Sequence, residues 1–346
     1  MAGTILLAAG GTGGHLFPAH ALASELARRG WDVDLATDER AERYGARFPA
    51  RTIHIISSAT IGGASPVALA RAAFLIGKGI AQSIKLILAL KPKVIVGFGG
   101  YPTLPPLFAA AFRGIPVVLH EQNAVVGRAN RLMIARATAI ATSFDKVDHL
   151  GDGAGRAVRT GNPVRDHIVE VARVPYVAPE ADGTFRLLVF GGSQGARFFS
   201  DIVPAALAKL DERTRARFRV SQQYRAEDLA RVRDAYDRIG VEADLGSFFV
   251  DMAERLSEAN LVIGRAGAST VAELGVVGRP SILVPYPHAL DHDQKVNAEA
   301  LSNCGAALVI DQTGLTAARL AGELSRFIGE PARLQRMAAA ARLAGR

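Results

Sequence analysis

The stretch Phe190-Gly191-Gly192-Ser193-Gln194-Gly195 decides how this chain is read. It follows Arg186-Leu187-Leu188-Val189-Phe190, a short apolar run with the length of a buried strand. It precedes residues 196–210, which have helical spacing. A glycine-rich turn between a strand and a helix lets the backbone approach a ligand closely. The helix N-terminus then offers unpaired N–H groups and a partial positive charge to an anion. Ser193 adds a hydroxyl. The same design stands near the start of the chain, where Thr4-Ile5-Leu6-Leu7-Ala8-Ala9 runs into Gly10-Gly11-Thr12-Gly13-Gly14-His15 and a helix is expected to open near Pro18. Both turns have the form Gly-Gly-Ser/Thr-x-Gly. One such turn can mean no more than tight strand–helix packing. Two of them, about 180 residues apart, point to two α/β halves facing one cleft.

Working outward, residues 31–37, 52–56, 93–98, 115–119 and 137–142 read as strands of the first half. Residues 19–29 and Pro66–Leu90 read as helices. A boundary falls at Gly161-Asn162-Pro163-Val164-Arg165. The second half restarts at Phe185, with strands expected at 218–221, 261–263, 280–284 and 306–310. Helices are expected at 227–239, 251–259, 293–303, 315–328 and 331–343. Repeated βα units imply a parallel sheet with helices on both faces, and ligands then sit at the carboxyl ends of strands. His15, Tyr101 and His120-Glu121-Gln122-Asn123 all stand at such exits.

Composition narrows the class. The chain has 346 residues, 49% hydrophobic and 21% charged, which suits two globular domains. A formal charge of +8 favours an anionic partner such as a nucleotide, a diphosphate or an acidic membrane. No basic run is interleaved with aromatics, which argues against nucleic acid. Cys304 is the sole cysteine, so there is no intrachain disulfide and no cysteine zinc site. The N-terminus lacks a basic n-region, so the first apolar run reads as a core strand. The longest uncharged stretch, 94–112, carries Gly97, Gly99, Gly100, Pro102, Pro105 and Pro106, which argues against a continuous spanning helix.

Several constellations could carry chemistry. His15 follows a glycine turn, where an imidazole can act as a base or as a phosphate donor, or can simply pack. Gly264-Arg265-Ala266-Gly267-Ala268-Ser269-Thr270 is a second glycine-bearing strand exit in the second half, and its helix carries Glu273. That carboxylate can accept both hydroxyls of a ribose, or it is a solvated, partly exposed helix residue. His120-Glu121-Gln122-Asn123 reads as an exposed polar run after an apolar strand, and Asn and Gln there suit sugar hydroxyls, since each offers a donor and an acceptor. His288, Asp291, His292 and Asp293 resemble metal ligands on paper but lie on one segment without a spaced partner set, so no metal is expected. A dinucleotide reading finds Asp38 at the end of the second strand, but Leu16 stands where the third glycine of G-x-G-x-x-G belongs. There is no Walker A lysine.

Taken together, these segments resemble the peptidoglycan N-acetylglucosaminyltransferase family, enzymes of the GT-B fold. The matching signatures are Gly10 to His15 with Pro18 and Ala19; Gly99-Gly100-Tyr101; His120-Glu121-Gln122-Asn123; Gly161-Asn162-Pro163-Val164-Arg165; Gly191-Gly192-Ser193-Gln194-Gly195; Arg265-Ala266-Gly267-Ala268 with Thr270 and Glu273; and Gln294 with Asn297. They span nearly the whole chain.

The resemblance implies two Rossmann-like parallel-sheet domains facing a cleft. Residues 1–164 would face acceptor and membrane, and 165–330 would bind UDP-GlcNAc. A C-terminal helix, 331–346, would pack back onto the first domain. It implies inverting transfer of GlcNAc from UDP-GlcNAc to the C4 hydroxyl of MurNAc in lipid I, giving lipid II, without a cofactor. Donor contacts would come from Thr12, Gly13, Gly14, Asn123, Arg165, Ser193, Phe249, Ala268, Ser269, Thr270, Glu273 and Gln294. Phe249 would serve through its backbone, because Phe248-Phe249-Val250 departs from the family's usual segment. Around Gln294 the chain reads Asp291-His292-Asp293-Gln294, whereas many relatives place Gln directly after His.

Gly13, Gly14, His15 and Tyr101 would face the acceptor, with His15 as base and Glu121 as the second candidate. The implied place is the cytoplasmic face of the inner membrane, on an anionic surface. Other cell-wall synthesis and division proteins are implied partners. The helix Pro66–Leu90, with Arg71, Lys78 and Lys85, would touch lipid, although core burial is expected to account for most of its apolar side chains. The competing readings are another UDP-sugar transferase or epimerase, and a non-catalytic binder of nucleotide sugars or lipid diphosphates.

Overall fold

The structure, a computed structural model, describes residues 3–40, 48–59, 65–289 and 292–345, and of 192–196 the backbone alone. The chain divides into two compact units, Met1–Arg165 and Asp166–Arg346. The first runs β1 (Thr4–Ala8), α1 (Gly13–Arg28), β2 (Asp32–Thr37), β3 (Thr52–Ile55), α2 (Pro66–Leu90), β4 (Val94–Gly97), α3 (Leu104–Phe112), β5 (Val117–Glu121), α4 (Arg128–Met133), β6 (Ala139–Thr142) and β7 (Ala157–Arg159). Its sheet is parallel throughout, in the order β3-β2-β1-β4-β5-β6-β7.

Successive residues of a strand face opposite sides, and both sides of this sheet are covered. From β1, Leu6 and Ala8 join one apolar cluster with Ile95, Leu119 and Ile140. Ile5 and Leu7 join the other with Val33, Leu35 and Phe98. Leu6 and Leu7 are fully buried, which stabilises the fold by about 2 kcal/mol each.

The second unit runs α5 (Asp166–Val171), β8 (Phe185–Phe190), α6 (Gly192–Leu207), α7 (Glu212–Ala216), β9 (Phe218–Gln223), α8 (Leu229–Ile239), β10 (Glu242–Gly246), α9 (Met252–Glu258), β11 (Leu261–Gly264), α10 (Ala268–Val277), β12 (Ser281–Leu283), α11 (Asp293–Ser302), β13 (Ala307–Val309), α12 (Ala317–Gly329) and α13 (Pro331–Ala344). Its parallel sheet has the order β10-β9-β8-β11-β12-β13. The two units thus repeat one winding. In each, the strand order reverses beside the first strand, between β1 and β4 and between β8 and β11. Such a switch point opens a crevice at the strand ends.

Several expectations need correction. α1 opens at Gly13 and α6 at Gly192, so each glycine turn is itself the first turn of its helix. Pro18 looked like a helix start because proline favours that position; it lies inside α1 instead. Within the proline-bearing stretch, α3 forms with Pro105 and Pro106 in its first turn, where a missing N–H costs little. The strands β7 and β10 were not anticipated. Within its own unit α13 packs against α10, α11 and α12, and Gly275 meets Gly345 backbone to backbone.

The apolar face of α2 is not mainly core. Ala72, Gly79, Ser83 and Ile87 form the buried stripe, with the Gly79 Cα lodged against the Ser57 carbonyl. Val67, Phe74 and Leu88 are exposed at 79%, 71% and 51%. α2 is long and apolar enough to cross a membrane by length and composition.

Candidate active site

In the first unit the switch point is closed by three glycines and one ring. The Gly10 N–H donates to the Gly99 carbonyl at 3.1 Å, which brings the turns after β1 and β4 into contact. Gly99 and Gly100 hold φ at +88° and +82°, a backbone that disfavours any Cβ. A Cβ at either would also come within 3.2–3.3 Å of the His15 ring. The glycines therefore form a seat for the imidazole. His15 lies in the first turn of α1, where Gly13 and Gly14 present helix-start N–H groups, and the N-cap Thr12 lends no side-chain bond to them. Tyr101 begins a short 3-10 helix at the β4 exit and is half-buried.

The exit of β5, expected to be exposed, is instead buried at His120, Glu121 and Gln122, where its side chains can bond one another away from water, and it locks onto that seat. His15 Nδ1 lies 3.3 Å from Gln122 Oε1. Gln122 Nε2 lies 3.0 Å from His120 Nδ1 and donates to the His120 carbonyl at 3.0 Å. His120 Nε2 lies 3.1 Å from the Gly161 carbonyl. Burial is the main force lowering the His15 pKa, and the Arg40 charge adds to it. Its bonds to Gln122 and to the Phe98 backbone act the other way. Burial pushes His120 down to about 4, so both rings are neutral at neutral pH.

Glu121 is differently placed. Oε1 accepts the Asn123 N–H at 3.0 Å and its amide at 3.4 Å. Oε2 accepts the Gly127 N–H at 2.9 Å and Asn130 Nδ2 at 2.8 Å. Burial raises its pKa, while these four bonds oppose the rise. A carboxylate caged in this way organises the loop around it and has no lone pair turned to a substrate. Asn123 is half-buried beside it, and Arg165 lays its guanidinium over the Phe17 ring at 3.9 Å.

In the second unit, the backbone of Ser193 lies in the first turn of α6; its side chain and Asp291 are outside the described residues. Ala268, Ser269 and Thr270 form the first turn of α10. The Ser269 hydroxyl is enclosed, with no hydrogen-bond partner among the described residues. Glu273, one turn further along, is 8% exposed, so the expectation of a partly solvated carboxylate is corrected. The Gln294 side-chain oxygen accepts the Tyr286 N–H at 3.0 Å, which leaves its amide N–H groups to donate elsewhere. Phe249 follows the exit of β10, its ring buried under the Arg255 guanidinium at 4.0 Å. Among the described residues, no three His, Cys, Asp or Glu side chains gather as a metal would need.

One residue was missed as a site candidate. Arg265 stands at the β11 exit, 6% exposed. It donates to the Val284 and Pro285 carbonyls at 3.0 and 3.3 Å and to Gln312 Oε1 at 2.6 Å. Burial pushes its pKa down to about 10, yet it keeps its charge at neutral pH, held by neutral acceptors. The signal was an arginine placed directly after a strand-exit glycine.

Comparison with known proteins settles the family. Residues 5–142 match the glycosyltransferase family 28 N-terminal domain, and 186–345 match its C-terminal domain. The chain is 54% identical, over all of its length and 92% of the relative's, to the UDP-N-acetylglucosamine–N-acetylmuramyl-(pentapeptide) pyrophosphoryl-undecaprenol N-acetylglucosamine transferase of Chelativorans sp. strain BNC1. This chain belongs to glycosyltransferase family 28. The like-named enzyme of Sinorhizobium fredii is also 54% identical, over 99% of this chain and 92% of that one. The crystal structure of Acinetobacter baumannii MurG superposes with a TM-score of 0.76 at 30% identity, covering 99% of this chain and 95% of that one. The family 28 matches fall one on each unit, so the resemblance read from the motifs holds for fold and enzyme class alike.

Proposed function

We propose that this family 28 glycosyltransferase moves GlcNAc from UDP-GlcNAc to the C4 hydroxyl of MurNAc in undecaprenyl-diphosphate-linked lipid I, with inversion, to form lipid II. The observation that carries the reading is the 54% full-length identity to relatives named for this transfer. The geometry of each unit supports it.

The second unit takes the donor. The helix starts at Ser193 and at Ala268, Ser269 and Thr270 meet the diphosphate; Glu273 meets the ribose, the Phe249 backbone the uracil and Gln294 the sugar. Arg265 adds a fixed positive charge. Thr12, Gly13, Gly14, Asn123 and Arg165 contribute donor contacts from the first unit. Gly13, Gly14, His15 and Tyr101 take the acceptor. His15 accepts the proton of the C4 hydroxyl as its oxygen attacks the anomeric carbon from the face opposite the leaving UDP. Helix N-termini stabilise the charge growing on UDP, a role that calls for no metal or cofactor. Incubation with UDP-GlcNAc and a soluble lipid I analogue should yield the disaccharide product and UDP. Donor binding without product would make the chain a binder, and turnover of UDP-GlcNAc alone would make it an epimerase.

We place the enzyme peripherally on the cytoplasmic face of the membrane, through α2. One side of that helix packs on its own unit, so it cannot be a lipid-wrapped span. Its outer stripe combines Val67, Phe74 and Leu88 with the exposed Lys78 and Lys85, which suits an anionic surface. Replacing Lys78 and Lys85 by Glu should weaken binding to anionic vesicles by about 1 kcal/mol or more per charge lost. Turnover of a soluble acceptor should hold. Equal loss on both acceptors would assign the lysines to the fold instead.

A further inference from the structure

We propose that Gln122 and His120 are positioning residues that place the proton of His15 on Nδ1 and leave the lone pair on Nε2, the atom that takes the proton in the reaction. The inference rests on the reading of His15 as the base and extends it to side chains that touch no substrate.

The chain of bonds has a fixed end. A carbonyl can only accept, so His120 Nε2, 3.1 Å from the Gly161 oxygen, carries the proton. The ring is buried and neutral, so its Nδ1 is an acceptor. The atom of Gln122 facing both that nitrogen and the His120 carbonyl must then be the amide nitrogen, which fixes which way the amide points. Its oxygen is left facing His15 Nδ1 at 3.3 Å, and an amide oxygen accepts. The Gln122 bond therefore draws the His15 proton to Nδ1, with the Phe98 backbone as the second acceptor on the ring.

The fixed end is itself held. Gly161 sits at φ +78°, with its N–H on the Thr142 carbonyl at the end of β6. The Glu121 cage braces the middle, since Asn130 Nδ2 bonds both the Glu121 carboxylate and the His120 carbonyl. His120 and Gln122 are 4% and 2% exposed, so water does not compete for these bonds. On the other side, Gly99 and Gly100 let their backbone pack closely on the His15 ring.

The test reads protons directly and needs no turnover. With 15N-labelled histidine, the wild type should show His15 with a protonated Nδ1 and an unprotonated Nε2, and His120 with the reverse. The signals are assigned by their loss in His15→Ala and His120→Gln. A wild-type His15 protonated on Nε2 would overturn the proposal, whatever reaction the enzyme performs. Gln122→Leu, similar in size but without a hydrogen bond, should shift His15 toward the Nε2–H form. It should lower kcat by about 10- to 100-fold with the KM for UDP-GlcNAc unchanged. In a His15→Ala background the same substitution should cost nothing further. An equal loss in both backgrounds, or a raised KM alone, would reduce Gln122 to a packing residue. If Gln122→Leu does not fold, the wild-type spectrum still decides.

Discussion

His15→Ala is expected to lower turnover by roughly 10²–10⁴-fold, the range for a general base, while UDP-GlcNAc affinity stays close to that of the wild type. The proposed function gives most of the donor contacts to the second unit, so loss of the imidazole should register in kcat. The pH profile separates a base from a group that merely orients. Burial holds the His15 pKa below its ordinary 6.5, so the ring is neutral at neutral pH and gains a proton only on acidification. A wild-type rate that depends on a free Nε2 must then fall on the acid side, with its midpoint below 6.5. In the mutant that limb should vanish. A limb that persists at lower rate would leave His15 an orienting role, and full activity in His15→Ala would make the ring purely structural.

Glu121→Ala should act on the fold. The substitution takes the carboxylate acceptor from two backbone N–H groups, of Asn123 and Gly127, and from one N–H of the Asn130 amide. Each buried donor left unpaired costs about 1–3 kcal/mol, so the total is about 3 kcal/mol or more. For a unit of 165 residues that corresponds to a loss of about 6–12 °C in its melting transition, readable by calorimetry. Glu121→Gln is not a rescue. Both carboxylate oxygens face backbone N–H groups, so whichever way the new amide turns, its nitrogen meets a donor. A catalytic Glu121 would behave in the opposite way, with melting unchanged in Glu121→Gln and turnover lost.

The sequence made the winding legible because its cues are local. The turns at Gly10 and Gly191 follow apolar runs directly, and a strand–turn–helix unit is a matter of adjacent residues. The strand β7 was hidden because Val158 and Arg159 are exposed on an edge and carry no buried periodicity. Pro105 and Pro106 argue only against a continuous span, and in the first turn of the nine-residue α3 they are compatible with a helix. Glu273 carries no mark of burial in its neighbours along the chain. The side-chain bonds among the candidate site residues were not legible. His15 and Gln122 are 107 positions apart, and nothing near either announces the bond between them. The family resemblance makes Glu121 the second candidate base. Its role is set by Gly127 and Asn130, whose contribution depends on where the loop folds back.

The strand order of the two sheets bears on how a ribosome delivers them. β1 lies inside its sheet; β2 and then β3 add on one side, and the chain returns to add β4, β5, β6 and β7 on the other. Every strand after the first therefore emerges to find its partner already made. The second sheet repeats this from β8, and α13 closes its own unit. Synthesis at about 5–20 residues per second is slow beside the closure of a loop. Each parallel sheet can then be laid down strand by strand during translation, the free edge of β1 waiting only for β4 and that of β8 only for β11.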